Sequence, residues 1–169
     1  MEARLKNQRF FNFLFEQYRR HSGSWQGQLQ ICMEIDMEIV YTDIKKYSTE
    51  DLQTLFRSVD WLSANYPERL KKALDHCETV ITAWSGDRLV GLINAIDDSE
   101  LTAYVHYLCV NPAYQGMGIG GELLRRIKEK YRDYLYIILI AENEPLIKYY
   151  RQNGFELIEG RYVIELLNP

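Results

Sequence analysis

Cysteine is scarce in this 169-residue chain, and the three present, Cys32, Cys77 and Cys109, lie far apart and form no CxxC pair. An odd, scattered set argues against a disulfide scaffold and a zinc site, so no metal is expected, and it fits a reducing compartment with the cytoplasm as the default location. Proline is sparse too, four residues in all, and there is no low-complexity tract, so nothing points to an extended or disordered chain. Excess positive charge is missing. A net charge of -4 and a pI near 5.5 argue against a broad phosphate-backbone footprint, and no nucleic-acid partner is expected. Long apolar runs are also missing, with nothing near the roughly 18 residues of a membrane-spanning helix. The apolar patch in "RFFNFLFEQYRR" is broken by Asn12 and is followed by no small-residue cleavage site, so it does not read as a secretory signal. Its polar face lacks the lysine excess of membrane-surface helices, and no membrane partner is expected.

What the chain does have is regular patterning. Residues 1–33 read as an N-terminal extension, a short helix with Phe10, Phe11, Leu14 and Tyr18 along one side followed by the polar linker "HSGSWQGQLQ". Residues 34–169 read as one domain. "MEIVY" is a short strand, and "STEDLQTLFRSV" is a helix opened by a capping-box-like Ser48 and Asp51. "YPERLKKALDHC" is a second helix with Pro67 in its first turn. "TVITAW" and "LVGLINAI" pair as a hairpin about "SGDR", and "LTAYVHYLCV" is a further strand. A helix runs to about Arg132, and the unbroken apolar "YLYIILIA" reads as a central strand buried on both faces. "EPLIKYYRQNG" is a helix closed by Gly154, after which "FELIE" and "RYVIELL" read as a last hairpin. The order predicts an α/β fold with a mixed, mostly antiparallel sheet of six to seven strands and about four helices.

The stretch "GMGIGG", residues 116–121, places four glycines in six positions ahead of an amphipathic helix carrying Ile119, Leu123, Ile127 and Tyr131 on one side. It literally satisfies the dinucleotide pattern G-x-G-x-x-G through Gly116, Gly118 and Gly121, with Glu142 about 20 residues on. The context fails, because five residues including Pro112 separate Val110 from Gly116 and few residues remain for further βα units. A nucleotide-hydrolase loop needs Lys and then Ser or Thr after its last glycine, whereas Gly121 is followed by Glu122 and Leu123. Glycines at a helix N-terminus expose backbone N–H groups to one anion, and the helix dipole adds attraction.

Read with Gln115, as Gln115-x-x-Gly118-x-Gly120, the loop resembles the acyl-CoA pyrophosphate loop of the GNAT superfamily of N-acetyltransferases. "YLCVNPAYQGMGIGGELL" resembles that family's strand–loop–helix signature, and "NEPLIKYYRQNGF" its second signature. The resemblance covers the chain from about residue 37 onward. It implies a GNAT-like fold splayed between its fourth and fifth strands, with acetyl-CoA as co-substrate. It implies cofactor contacts from Leu108, Cys109, Val110, Gln115, Gly116, Met117, Gly118, Ile119, Gly120, Gly121, Asn143 and Tyr150. A backbone N–H between Leu108 and Val110 would polarise the thioester carbonyl. Tyr150 is the implied acid for the departing thiolate, and its neighbour Tyr149 is read as core. Asn143 is equally well read as a helix cap. The family often carries a glutamate base on the fourth strand, whereas Leu101 to Val110 contain no acid. His106 falls where the aralkylamine acetyltransferase branch has an active-site histidine, and it stands as candidate base beside a water relay. Strand alternation places Tyr104, His106 and Leu108 on one face and Val105, Tyr107 and Cys109 on the other. A covalent acyl-Cys109 route is disfavoured, since its neighbours are apolar and supply nothing to lower a thiol pKa.

Acceptor choice is expected in the connection "SVDWLSANYPERL", where Asp60, Trp61 and Tyr66 could form an aromatic wall with a carboxylate, Tyr104 facing it. Trp61 reads equally as a plug between helices. The leading acceptor is a small-molecule primary amine, the alternatives being a peptide or protein amine or a non-catalytic acyl-CoA-binding module. Exchange of a strand at the C-terminal hairpin would offer a route to a homodimer.

Overall fold

A computed structural model describes residues 38–160. The expected extension over residues 1–33 and the last expected strand, "RYVIELL", lie outside the described residues.

The described chain forms strand β1 (Ile39–Thr42), helices α1 (Thr49–Ser58) and α2 (Pro67–His76), strands β2 (Thr79–Ser85), β3 (Arg88–Asp97) and β4 (Thr102–Val110), helix α3 (Ile119–Lys130), strand β5 (Tyr136–Leu139) and helix α4 (Glu144–Gln152). The sheet runs in order β1-β2-β3-β4-β5. The first four strands pair antiparallel, and β4 with β5 parallel. The mixed α/β class matches the sequence reading, but five strands are present among the described residues rather than six to seven.

The segment "FELIE" accounts for part of that difference. Phe155 N–H donates to the Tyr150 carbonyl and Gly154 N–H to the Arg151 carbonyl, so the backbone at the head of "FELIE" terminates α4 instead of entering a ladder. The run "YLYIILIA" is also corrected. Only Tyr136–Leu139 is strand, it lies at the end of the described sheet, and Tyr136 and Ile138 are 60% and 41% exposed while Ile137 and Leu139 pack inward. Continuous apolarity indicates two buried faces only where both faces are covered, and among the described residues only the face of Ile137 and Leu139 is packed.

Helix starts follow local chemistry. Ser48 Oγ accepts the Asp51 N–H while the Asp51 carboxylate accepts the Ser48 N–H, a reciprocal cap that opens α1. Pro67 occupies the first turn of α2, where its missing N–H costs nothing. Two apolar clusters flank the sheet. Leu52, Leu55, Phe56, Leu70 and Leu74 press α1 and α2 on one face, and Ile119, Leu123, Leu124 and Ile127 press α3 on the other. At Gly91 on β3, an added Cβ would sit 3.1 Å from Ile119 Cγ2 and 3.3 Å from Leu123 Cδ1, so the missing side chain lets α3 approach the sheet closely. The other end of α3 is pinned by the Tyr131 hydroxyl, which lies 2.7 Å from both Thr79 Oγ1 and Asp97 Oδ2. With both ends fixed, the glycine loop that precedes α3 has a rigid base.

Candidate active site

The chain leaves β4 through Asn111 and a short 3-10 turn, Pro112–Tyr114, then enters α3 at Gly118. Gly116 and Gly118 have φ of +80° and +81°, which L side chains rarely adopt, although nothing would obstruct a Cβ at either. Their identity is set by backbone conformation. The N–H groups of Ile119, Gly120 and Gly121 find no carbonyl within the helix, the first helical bond of α3 being Glu122 N–H to the Gly118 carbonyl. These N–H groups and the helix dipole suit a diphosphate. Gln115 is exposed, and its Nε2 donates to the Val110 carbonyl at 3.0 Å, which ties the loop to the end of β4.

Glu122 stands one turn into this anion-binding end. Arg125 holds its carboxylate in a bidentate pair at 2.7 and 2.9 Å, and Arg126 adds a contact at 2.8 Å. Those hydrogen bonds, Arg125's first, bring its pKa down to about 2. Its charge is thus compensated locally, which spares the loop a bare repulsive carboxylate. A groove of about 620 Å3 between the start of β2 and the second half of α3 mixes Arg125, Arg126 and Lys130 with Asp43, Glu78 and Glu129, at the far end of α3 from the glycines.

A gap opens beside the loop. β4 and β5 pair only from Thr102↔Tyr136 to Val105↔Leu139, so β4 continues to Val110 with no neighbour on that side among the described residues. Asn111 N–H donates to the Val90 carbonyl, which places Cys109 toward β3 and turns the N–H groups of Leu108 and Val110 into the gap. Cys109 itself is buried, and burial pushes its thiol pKa up, leaving it unsuited to nucleophilic work.

The expected alternation along β4 breaks at His106. Asn94 faces Tyr107 and Ala95 faces Val105, so His106 is the extra residue of a β-bulge. His106 and Tyr107 therefore share a face, their rings stacked at 4.0 Å with 28° between planes. Tyr104 lies 5.9 Å from His106 on that face, whereas Leu108 packs with Ala103 and Val105 on the α3 side. The row continues through Tyr107 to Trp61 at 5.3 Å and from Trp61 to Phe56 at 5.5 Å. Tyr107 and Phe56 are members that periodicity missed, since the bulge that recruits Tyr107 is invisible to a period of two. Burial pulls the His106 pKa below the ordinary imidazole value.

Trp61 owes its position to helix termination. Asp60 takes φ of +55° at the end of α1, Asp60 N–H donates to the Arg57 carbonyl and Trp61 N–H to the Phe56 carbonyl, and the Trp61 ring closes on Phe56. Tyr66 does not join the row. It is exposed at the head of α2, with the Arg69 guanidinium 5.5 Å from its ring.

Helix α4 borders the glycine loop from the α3 side. Asn143 caps it, Oδ1 accepting the Leu146 N–H at 3.0 Å, so the capping reading of this residue is what the structure shows. Its C-terminus repeats the termination seen in α1: Gly154 at φ +84°, with Phe155 folded back 6.0 Å from the Tyr150 ring. Lys128 of α3 donates to the Asn153 carbonyl at 2.8 Å, docking the two helices. Burial first, then the neighbouring Tyr149 and Glu142, push the Tyr150 phenol up to about 12. Tyr149 packs against the α3-side cluster, in keeping with the core reading, and its hydroxyl also reaches α3. A Cβ at Gly120 would stand 2.6 Å from the Tyr149 hydroxyl and 3.7 Å from Val110 Cγ2, so this phenol reaches the wall of the glycine loop and fills the place of a side chain there.

A splayed sheet with helix N–H groups and glycines at the mouth of the splay defines an acyltransferase-type α/β protein. The chain belongs to the acetyltransferase (GNAT) family, whose model matches residues 46–155. It is 27% identical to an uncharacterised ycf52-like N-acetyltransferase of Prochlorococcus marinus, over 70% of this chain and 68% of that one. It is 29% identical to the N-alpha-acetyltransferase RimI of Mycobacterium tuberculosis, over 69% and 74%. Among solved structures, a GNAT family acetyltransferase from Streptococcus pneumoniae superposes with a TM-score of 0.66 at 29% identity, covering 78% of this chain and 97% of that one. A protein of methicillin-resistant Staphylococcus aureus gives 0.68 at 23% identity, over 78% and 100%, a likeness of fold. The family transfers an acetyl group from acetyl-CoA to an amine. Among the described residues no cluster of His, Cys, Asp and Glu could hold a metal ion, and no helix is long and apolar enough to cross a membrane.

Proposed function

We propose that the protein transfers an acetyl group from acetyl-CoA to the primary amine of a small molecule by direct attack of the amine on the thioester. The observation that carries this reading is the meeting at one gap of the Leu108 and Val110 N–H groups and the N-terminal end of α3, with α4, the helix that bears Tyr150, docked on α3 alongside.

Acetyl-CoA supplies an activated acyl group and a thiolate leaving group. Gly116 to Gly121 hold the diphosphate on backbone N–H groups, with Met117 and Ile119 flanking, and Gln115 keeps the loop tied to Val110. The edge of β4 from Leu108 to Val110 aligns the pantetheine arm, and Asn143 contributes through the amide end its capping role leaves over. The Leu108 or Val110 N–H polarises the carbonyl, and a fixed donor of this kind contributes about 10²–10³-fold to rate.

His106 takes the proton of the acceptor, directly or through water. Only about one alkylamine in 2,500 is unprotonated at pH 7, on the lysine reference pKa of about 10.4. A depressed imidazole pKa keeps the ring neutral and able to accept. Tyr150 donates to the departing thiolate. Its raised pKa keeps the phenol protonated throughout the neutral range, so the proton is there to give. Trp61, Tyr107 and Tyr104 wall the acceptor side, and the Asp60 carboxylate at the end of α1 is the ammonium partner for an approaching acceptor.

The likeness to an N-alpha-acetyltransferase and the cross-strand row Ile96, Tyr104 and Ile138 beside His106, its two isoleucines exposed, favour a second reading in which the acceptor is a peptide amine. CoA release measured with acetyl-CoA against matched panels of small alkyl- and arylalkylamines and short peptides separates the two. Turnover confined to the small amines is expected. Turnover confined to peptides would replace the acceptor, and binding of acetyl-CoA without turnover on either panel would remove the enzymatic reading.

A further inference from the structure

The register slip between β3 and β4 leaves His106 without a cross-strand partner, and the residue opposite that slip is the fully buried Asn94. β3 is otherwise apolar along "LVGLINAI", so a carboxamide inside it needs a reason. Its polar atoms are committed. Oδ1 accepts the Tyr107 N–H at 3.0 Å, and Nδ2 donates to Cys77 Sγ at 3.3 Å. The side chain thus replaces the backbone carbonyl that a regular ladder would offer Tyr107.

That substitution decides which way His106 faces. Tyr107 and Cys109 belong to the apolar cluster under α1 and α2, while Ala103 and Val105 belong to the one under α3. Both sets keep their faces only if one extra residue is accommodated between Val105 and Tyr107. A regular strand held by the Tyr107–Cys109 end would turn His106, and Tyr104 with it, toward α3 and away from Tyr107. The bulge keeps His106 on the aromatic side, stacked on Tyr107 at 4.0 Å. We infer that Asn94 is a positioning residue: by holding the Tyr107 N–H it fixes the bulge that lays the His106 ring on Tyr107, and so orients the base. Its bearing on catalysis rests on the reading of His106 as base, and its bearing on geometry does not.

Asn94→Leu, matched in branching but without the acceptor, tests it. Three readouts are taken: the upfield ring-current shift of the His106 ring protons, hydrogen exchange at the Tyr107 amide, and the split between kcat and acetyl-CoA binding. The expected result is a lost ring-current shift, Tyr107 exchange faster by about tenfold or more, and kcat lower by about tenfold or more with acetyl-CoA Kd within about twofold, since a general base contributes 10²–10⁴-fold. Asn94→Asp, which keeps an acceptor for the Tyr107 N–H, is expected to keep the stack. A retained shift and retained Tyr107 protection in Asn94→Leu overturn the inference whatever the kinetics. An unchanged kcat in His106→Gln, with the stack lost in Asn94→Leu, overturns the base reading and leaves the placement by Asn94 standing. Should Asn94→Leu not fold, fast exchange of the Tyr107 amide in the unaltered protein overturns the inference, and slow exchange supports it.

Discussion

At the scale of the residue, the proposed reaction draws on two groups, His106 and Tyr150, whose proton affinities are both moved. The His106 ring lies against the phenol rings of Tyr104 and Tyr107 with its remainder exposed, and this partial desolvation lowers its pKa. A base acts in its neutral form, which is populated above its pKa. A depressed value therefore extends activity toward acid. The acid limb of kcat/KM is expected below about pH 6.5, the ordinary imidazole value, and His106→Gln is expected to remove that limb and to lower kcat/KM by roughly 10²-fold. A pH–rate profile of both proteins checks this; a limb unchanged in His106→Gln assigns it to another group. Tyr150, raised to about 12, contributes no loss of activity on the alkaline side through the neutral range.

At the scale of the element, helix ends do most of the positioning. α1 and α4 finish the same way, a left-handed residue followed by an aromatic one folded back on the last turn, Trp61 on Phe56 and Phe155 on Tyr150. The "NGF" of the sequence is thus a device that terminates a helix and braces Tyr150 with one ring. Between α3 and α4 the fit is just as specific, because the Tyr149 hydroxyl occupies the space a Gly120 side chain would need. Gly120→Ala is expected to push α4 outward, weakening acetyl-CoA binding by about tenfold and lowering Tm by about 2–4 °C per kcal/mol of strain. Tyr149→Phe removes the clashing oxygen, and Gly120→Ala in that background is expected to recover most of the Tm. Additive losses in the double variant, measured by calorimetry, would show that the two residues do not meet.

At the scale of the whole molecule, what sequence conveyed well was local. The Ser48–Asp51 cap, Pro67 at the head of α2, the hairpin turn at Gly86 and the left-handed glycines before α3 each follow from a few adjacent residues, and each lies where expected. What it conveyed poorly depends on distant partners. The bulge at His106 is set by Asn94 from the neighbouring strand, so alternation along β4 alone put Tyr107 on the wrong face. The burial of β5 depends on what covers each face, which an apolar run does not encode. Tyr149 packs on the core as its helical angle suggested, but the approach of its hydroxyl to Gly120 depends on how α4 docks on α3 and was not legible. The glycine loop, the gap and Tyr150 act together only if an acyl thioester lies between them. Acetyl-CoA affinity and single-turnover acetyl transfer, measured side by side for the unaltered protein and Tyr150→Phe, probe that directly. The expected result is acetyl-CoA affinity within about twofold and a transfer rate lower by about 10²-fold, the usual share of a general acid. Equal transfer rates at equal affinity would contradict it.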